Sequence, residues 1–147
     1  MMSTAATIAG TAARIPAMNR PVAVFGALGA ALLANLVVWL IGAAAGGTFE
    51  TTNAGQVQSV APGGIITMTV VPMLIGLSAA ALLSYKWTGV LRVAAVTGPV
   101  LAVATIGSTV SADFDTASTI ALSITHLTLV PAIVVATEGM RRKLIEG

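Results

Sequence analysis

Cysteine is absent from this chain of 147 residues, and charged residues make up only 8% of it. The lack of cysteine excludes disulfides, thiolate chemistry and cysteine-ligated metal sites together. A soluble domain usually carries about a quarter charged residues, so this chain has too few to cover a surface that faces water. Since 56% of the residues are hydrophobic, the composition predicts a protein whose main solvent is the lipid bilayer.

The charge balance is weakly basic, with seven Lys and Arg against five Asp and Glu. The basic residues are spread thinly, and aromatic residues amount to only 4% of the chain. A nucleic-acid surface normally presents a basic stripe or patch on one face. We therefore expect no nucleic-acid partner.

Four apolar segments dominate the chain, at residues 22–45, 64–84, 90–110 and 117–137. Each reaches the length of about 20 residues that a helix needs to cross a bilayer. Because the backbone must satisfy its own hydrogen bonds in lipid, each segment is predicted to be a helix. The predicted fold class is all-α, a four-helix transmembrane bundle formed by residues 21–147, preceded by a flexible cytoplasmic tail at residues 1–20.

The basic residues predict the orientation of the bundle. All seven fall on one side of the four spans: Arg14, Arg20, Lys86, Arg92, Arg141, Arg142 and Lys143. The positive-inside rule makes that side cytoplasmic, so both termini are expected inside. The predicted location is the plasma membrane, which the chain crosses several times.

Two segments allow a second interpretation. The first span, with its upstream arginines and the Ala43-x-Ala45 sequence, has features of a cleaved signal peptide, although its apolar run exceeds the usual 7–15 residues. The external stretch "GTFETTNAGQVQSVAPGG" is interpreted as a plain connector, with a compact binding loop as the alternative.

Small residues and prolines predict how the spans pack. Gly and Ala let helices approach closely in lipid, and Gly26, Ala30 and Ala34 recur at four-residue spacing, as do Gly76, Ala80 and Ser84. We expect these two stripes to face each other. Pro72, Pro99 and Pro131 lie inside the last three spans, where each removes a backbone hydrogen bond.

The stretch "THLTLVPA" contains the only histidine, His126, near the predicted membrane midplane. Polar side chains at this depth are expected to point into the bundle, where they serve either as hydrogen-bonded links between helices or as a ligand or proton site. The candidate ligand-binding residues are His126, Asn35, Ser123, Thr119, Thr97 and Thr105.

Three acids form a second candidate set on the predicted external side: Glu50, Asp113 and Asp115. Asp115 directly precedes the fourth span, where a carboxylate caps the free N–H groups of a helix. Two carboxylates two residues apart could also bind a divalent cation, although such a site needs more ligands. Capping is the preferred interpretation, and no metal site is predicted.

The stretch "ADFDTASTIALSITHLTLVPA" resembles the last span of a family of small, uncharacterised, four-span membrane proteins of actinobacteria. The resemblance covers most of the chain. It implies a location in the membrane and no assigned activity.

Three classes of function are compatible with these features. The preferred one is a non-catalytic binding or interaction protein of the cell envelope, with lipid, a second copy or an envelope protein as partner. The alternative is a small dimeric transporter with a polar pocket at His126 and Asn35. The third class is a haem or quinone protein. One histidine per chain gives paired axial ligands only across a symmetric dimer, so no cofactor is predicted. Hydrolysis or group transfer needs a nucleophile and a base close together, and the sequence shows no Ser–His–acid set and no metal-ligand cluster, so we predict no enzymatic activity.

Overall fold

The computed structural model describes residues 15–60 and 62–147, so the predicted tail lies outside the described residues as far as residue 14. The described chain is all-helical apart from one short hairpin. Its elements are α1 (Arg20–Ala44), β1 (Glu50–Asn53), β2 (Gln56–Ser59), α2 (Pro62–Leu83), α3 (Val90–Ser111) and α4 (Thr116–Glu146).

All four helices are long and apolar enough to cross a membrane. Their positions confirm the four predicted segments, because continuous apolar runs of this length bury their backbone polar groups only as helices. Pro72, Pro99 and Pro131 lie inside α2, α3 and α4, and each helix continues through its proline. The fourth helix extends nine residues past the predicted end at Thr137, to Glu146.

The fourth helix occupies the centre of the bundle. It packs most extensively against α3 on one side and α1 on the other, while α2 packs mainly on α1. Small side chains make these contacts close: Ala31, Ala102, Ala121 and Ala136 are all buried. At Gly98 of α3 an added Cβ would lie 2.8 Å from Ile133 of α4, so the two helices nearly touch there.

The two predicted stripes of small residues do not face each other at their glycines, Gly26 and Gly76. Gly26 and Gly76 are exposed, and an added Cβ on either would meet nothing within 4 Å. The first two helices do pack together, and Ser84 of the predicted stripe contacts Arg20 of α1. Asn35 and Thr69, which lie outside the two stripes, also join these helices. Because Ala and Gly occur on every face of these helices, their spacing does not identify the face that packs.

The connection between α1 and α2 contains an antiparallel hairpin, which the connector interpretation did not include. Asn53 pairs with Gln56 at its tip, and the two residues between them, Ala54 and Gly55, both have positive φ. Positive φ at both central residues is characteristic of a type I′ turn. The four-residue strands are almost entirely exposed.

Phe49 anchors this hairpin to the bundle. Its side chain is buried. A Cβ added to Gly42 would lie only 2.8 Å from the Phe49 ring. Its carbonyl accepts a hydrogen bond from Val60 N at 2.9 Å, which closes the base of the hairpin. The glycine at position 42 is therefore required by a close approach of α1 to the loop that follows it.

Candidate functional site

Asn35 of α1 links three helices in the interior of the bundle. Its Nδ2 donates a hydrogen bond to Thr69 Oγ1 of α2 at 2.9 Å, and its Oδ1 accepts one from the hydroxyl of Thr128 on α4. Asn35 is 1% exposed and Thr69 is 3% exposed. Buried polar groups in lipid need partners, and here both ends of the amide have one.

His126 of α4 is half-buried and contacts α3. Its Nδ1 lies 3.0 Å from Thr105 Oγ1, and the Thr105 hydroxyl also donates to the carbonyl of Ala102 at 2.6 Å. A hydroxyl has a single proton, so Thr105 cannot donate to the Ala102 carbonyl and to His126 at once. The tautomer of the ring determines which of the two side chains donates in the contact between Thr105 and His126.

The other predicted site residues do not join this pair. Ser123 donates to the carbonyl of Thr119 at 2.7 Å, within its own helix. Thr97 likewise donates to the carbonyl of Val93 at 2.9 Å, and its side chain is exposed. Hydroxyls that bond their own helix in this way are satisfied without a tertiary partner. The structure thus brings His126 together with Thr105, and Asn35 with two threonines that were not among the predicted residues.

A small cavity lies beside Asn35, Thr69 and His126. It is lined by both Asn35 and His126 and has a volume of about 40 Å³. At about 10–15 Å³ per water, it has room for a few water molecules. Ligand pockets are usually about 300–1,000 Å³, so this cavity is far smaller than one.

Asp115 caps α4 as predicted, and it also binds the loop after α1. Its carboxylate accepts from Ser118 N at 2.8 Å and Ser118 Oγ at 2.6 Å, and from Thr48 N and Oγ1, both at 2.9 Å. The hydrogen bonds from Ser118, followed by those from Thr48, hold the pKa of Asp115 well below its usual value. Ser118 Oγ in turn accepts from Phe49 N at 2.8 Å, so the cap secures the base of the hairpin.

The other two acids of the external set are exposed. Within residues 15–60 and 62–147, no group of three or more His, Cys, Asp or Glu side chains could hold a metal ion. Glu50 lies on β1 and Asp113 in the turn before the cap. Of the three predicted acids, Asp115 alone has a structural role in the described contacts.

A groove lies between α1 and α4 and is larger than the cavity beside Asn35 and His126. We call it the α1–α4 groove. Its volume is about 410 Å³, and its walls are almost wholly apolar. On α1 it extends from Val22 to Ala34, and on α4 from Thr128 to Ala136. It opens to the outside of the bundle through the exposed Gly26 and Ala30.

A second, polar cavity of about 190 Å³ lies at the end of this groove. We call this second cavity the basic pocket. Arg20, Tyr85 and Lys143 contribute to its walls, and Met18 lines both this pocket and the groove. Met18 is fixed to α4 by a hydrogen bond from its N–H to the carbonyl of Gly139 at 2.9 Å. The two cavities therefore adjoin at Met18, which forms a wall of each.

Sequence reasoning missed Thr69, Thr128 and Ser118, although each carries a signal. Thr128 follows His126 by two residues in the same polar stretch, and Ser118 stands three residues after the cap, where side chains reach back to the helix start. Thr69 is a polar residue in the interior of an apolar helix. Such a residue has to meet a partner, but only the bundle geometry identifies Asn35 as that partner.

Comparison with known proteins gives a family and no activity. No curated protein and no solved structure matches the chain. The model of a family of unknown function matches residues 4–143, nearly the whole sequence. The chain therefore belongs to this family of unknown function, DUF6069.

Proposed function

We propose that this chain is a non-catalytic, multi-pass protein of the plasma membrane that binds a component of the cytoplasmic leaflet. The α1–α4 groove is the proposed binding site. Four helices apolar enough to cross a membrane and membership of a family of unknown function are compatible with this role. The abundance of Ala, Gly, Thr and Val, with Arg more frequent than Lys, is compatible with an origin in a high-GC bacterium.

The distribution of charge supports the orientation. Among the described residues, the basic side chains lie where α1 begins, between α2 and α3, in the first turn of α3, and where α4 ends. The acids Glu50, Asp113 and Asp115 lie at the opposite end. The positive-inside rule places the basic end in the cytoplasm, so the α1–α4 groove faces the cytoplasmic leaflet.

The proposal rests on the difference in volume between the α1–α4 groove and the cavity beside Asn35 and His126. The interior cavity beside Asn35 and His126 holds about 40 Å³, and both ends of the Asn35 amide are already hydrogen-bonded. The groove holds about 410 Å³, within the usual range of ligand sites, and it opens toward the membrane. Space for a ligand is thus found on the flank of the bundle, which favours binding over transport through the interior.

Site-specific photocrosslinking in intact membranes tests this function. A diazirine amino acid replaces Ala30, which is exposed in the groove, or Ala104, which is equally a small exposed residue but lies on α3. We expect the probe at Ala30 to give one predominant adduct mass, and the probe at Ala104 to give a broad mixture of lipids. Equal, broad labelling at both positions would contradict a specific site in the groove.

A further inference from the structure

The α1–α4 groove has the length of one lipid leaflet. Along α1 it extends over the thirteen residues from Val22 to Ala34, and the distance between the first and the last is about 18 Å at about 1.5 Å per residue. Half of a hydrocarbon core of about 30 Å is about 15 Å. The groove therefore matches a chain that enters from one surface and ends near the midplane, whereas a helix of a second copy would continue across both leaflets.

The basic pocket lies where the headgroup of such a chain would be. The groove walls are almost wholly apolar, whereas the pocket beyond Met18 is lined by Arg20 and Lys143. An apolar groove that adjoins a pocket with two cations is complementary to an amphipathic anion. Basic pockets between helices on the cytoplasmic side are a known way of binding anionic lipid headgroups.

Arg20 is held in position without using its full capacity as a donor. Its Nε donates to Ser84 Oγ at 2.9 Å and to the carbonyl of Ala81 at 3.1 Å. Its guanidinium carbon lies 3.8 Å from the centre of the Tyr85 ring. Within the described residues, the two terminal nitrogens have no hydrogen-bond partner. A guanidinium presented in this way suits a phosphate, which accepts two parallel hydrogen bonds.

Lys143 supplies the second positive charge. It is exposed in the last turns of α4 and forms no ion pair within the described residues. The nearby acid Glu138 is already engaged by Arg141, at 2.6 Å. Among residues 15–60 and 62–147, neither Arg20 nor Lys143 forms an ion pair with a carboxylate.

We propose that the basic pocket and the α1–α4 groove together form a binding site for one anionic phospholipid of the cytoplasmic leaflet. Arg20 and Lys143 bind the phosphate, and one acyl chain lies in the groove. This inference rests on the proposed function, because it names the leaflet component that the groove binds.

Lipid titration followed by native mass spectrometry tests the proposal on the full-length protein. Phosphatidylglycerol and phosphatidylcholine with identical acyl chains are the two probes. We expect one phosphatidylglycerol to bind more tightly than phosphatidylcholine. Lys143→Gln should weaken it about fivefold, the factor that corresponds to about 1 kcal/mol per basic residue near an anionic surface.

Two matched controls separate the site from general effects. Lys86→Gln removes the same charge from an exposed position outside the pocket and should leave the affinity unchanged. Ala30→Leu fills the groove and should weaken phosphatidylglycerol binding, whereas Ala104→Leu on α3 should not. Arg20 is not used for the test, because it also joins α1 to α2.

Equal affinity for the two lipids, or equal effects of the two lysine substitutions, would overturn the lipid site. If Ala30→Leu instead disrupts a dimer and leaves lipid affinity unchanged, the groove binds a second copy and the lipid proposal is wrong. In that case the crosslink at Ala30 would join two copies of the chain, and the proposed function would be wrong as well. A single adduct at Ala30 with a leaflet component other than an anionic phospholipid would overturn the lipid proposal and leave the proposed function standing. Failure of the crosslink would overturn both.

Discussion

Asn35 Nδ2 donates a buried hydrogen bond to Thr69 Oγ1 at 2.9 Å and so joins α1 to α2. The second bond of the same amide, from Thr128, joins α1 to α4. Lipid provides no hydrophobic force between helices, so polar links of this kind, together with close packing of small residues, hold the bundle together. Asn35, Thr69 and Thr128 thus serve as hydrogen-bonded links between helices.

Asn35→Leu should destabilise the bundle by about 1–2 kcal/mol, the scale of intramembrane hydrogen bonds, because it leaves Thr69 and Thr128 without their partner. Unfolding in mixed detergent micelles measures the loss. Ser123→Ala is the control, since the Ser123 hydroxyl bonds only within α4. Equal losses in the two variants would show that the Asn35 links do not stabilise the fold.

Replacing His126 distinguishes a structural role from a functional one. His126→Asn can still hydrogen-bond Thr105 and should keep most of the stability, whereas His126→Leu should lose about 1 kcal/mol or less. The same unfolding assay, combined with Thr105→Val in a double-mutant cycle, measures the coupling of the pair. His126→Leu is made both in the native chain and in the Thr105→Val variant. If it lowers the free energy of unfolding equally in the two, the contact at 3.0 Å contributes nothing to stability.

Asp115 should make stability depend on acid pH. Hydrogen bonds from Ser118 and Thr48 lower its pKa in the folded state. The stabilisation is therefore fully present above the ordinary carboxyl value of about 4 and is lost as the pH falls through the lower folded value. Unfolding measured between neutral and acid pH should show this loss, and Asp115→Asn should remove it.

Asp113→Asn is the matched control for that experiment, because Asp113 is exposed and two residues away. It should retain the acid dependence of the native chain. If Asp113→Asn and Asp115→Asn flatten the pH profile equally, the cap does not account for it.

The purified protein should be colourless and show no Soret band. The chain offers one histidine and no cysteine, and axial ligation by histidine or cysteine is the usual way in which proteins hold haem iron. Absorption spectroscopy of protein purified under mild conditions tests this. A stoichiometric haem band that disappears in His126→Ala would contradict the prediction.

The helices could be predicted from the sequence because lipid leaves the backbone few alternatives. Their ends were less predictable. The last helix continues past Thr137 because Glu138 pairs with Arg141 one turn later, which sustains a helix in a polar environment. The hydropathy pattern ends where this polar turn begins.

The hairpin and the interior partners were harder to predict. The strands Glu50–Asn53 and Gln56–Ser59 are polar and exposed, so they lack the alternation of apolar and polar residues that predicts strands. The partner of Asn35 depends on which faces of α1 and α2 meet. Since the small residues do not distinguish those faces, Thr69 could not be assigned from sequence, whereas the Asp115 cap could, because capping is local.

The orientation of the four helices is the claim on which the proposed site in the cytoplasmic leaflet depends. The chain has no native cysteine, so single cysteines can be placed at Asn53, exposed at the hairpin tip, and at Thr88, exposed at the basic end. The measurement is labelling of intact cells with a membrane-impermeant maleimide. We expect cysteine at position 53 to react in intact cells, and cysteine at position 88 to react only after permeabilisation. Labelling at position 88 but not at position 53 in intact cells would contradict the account.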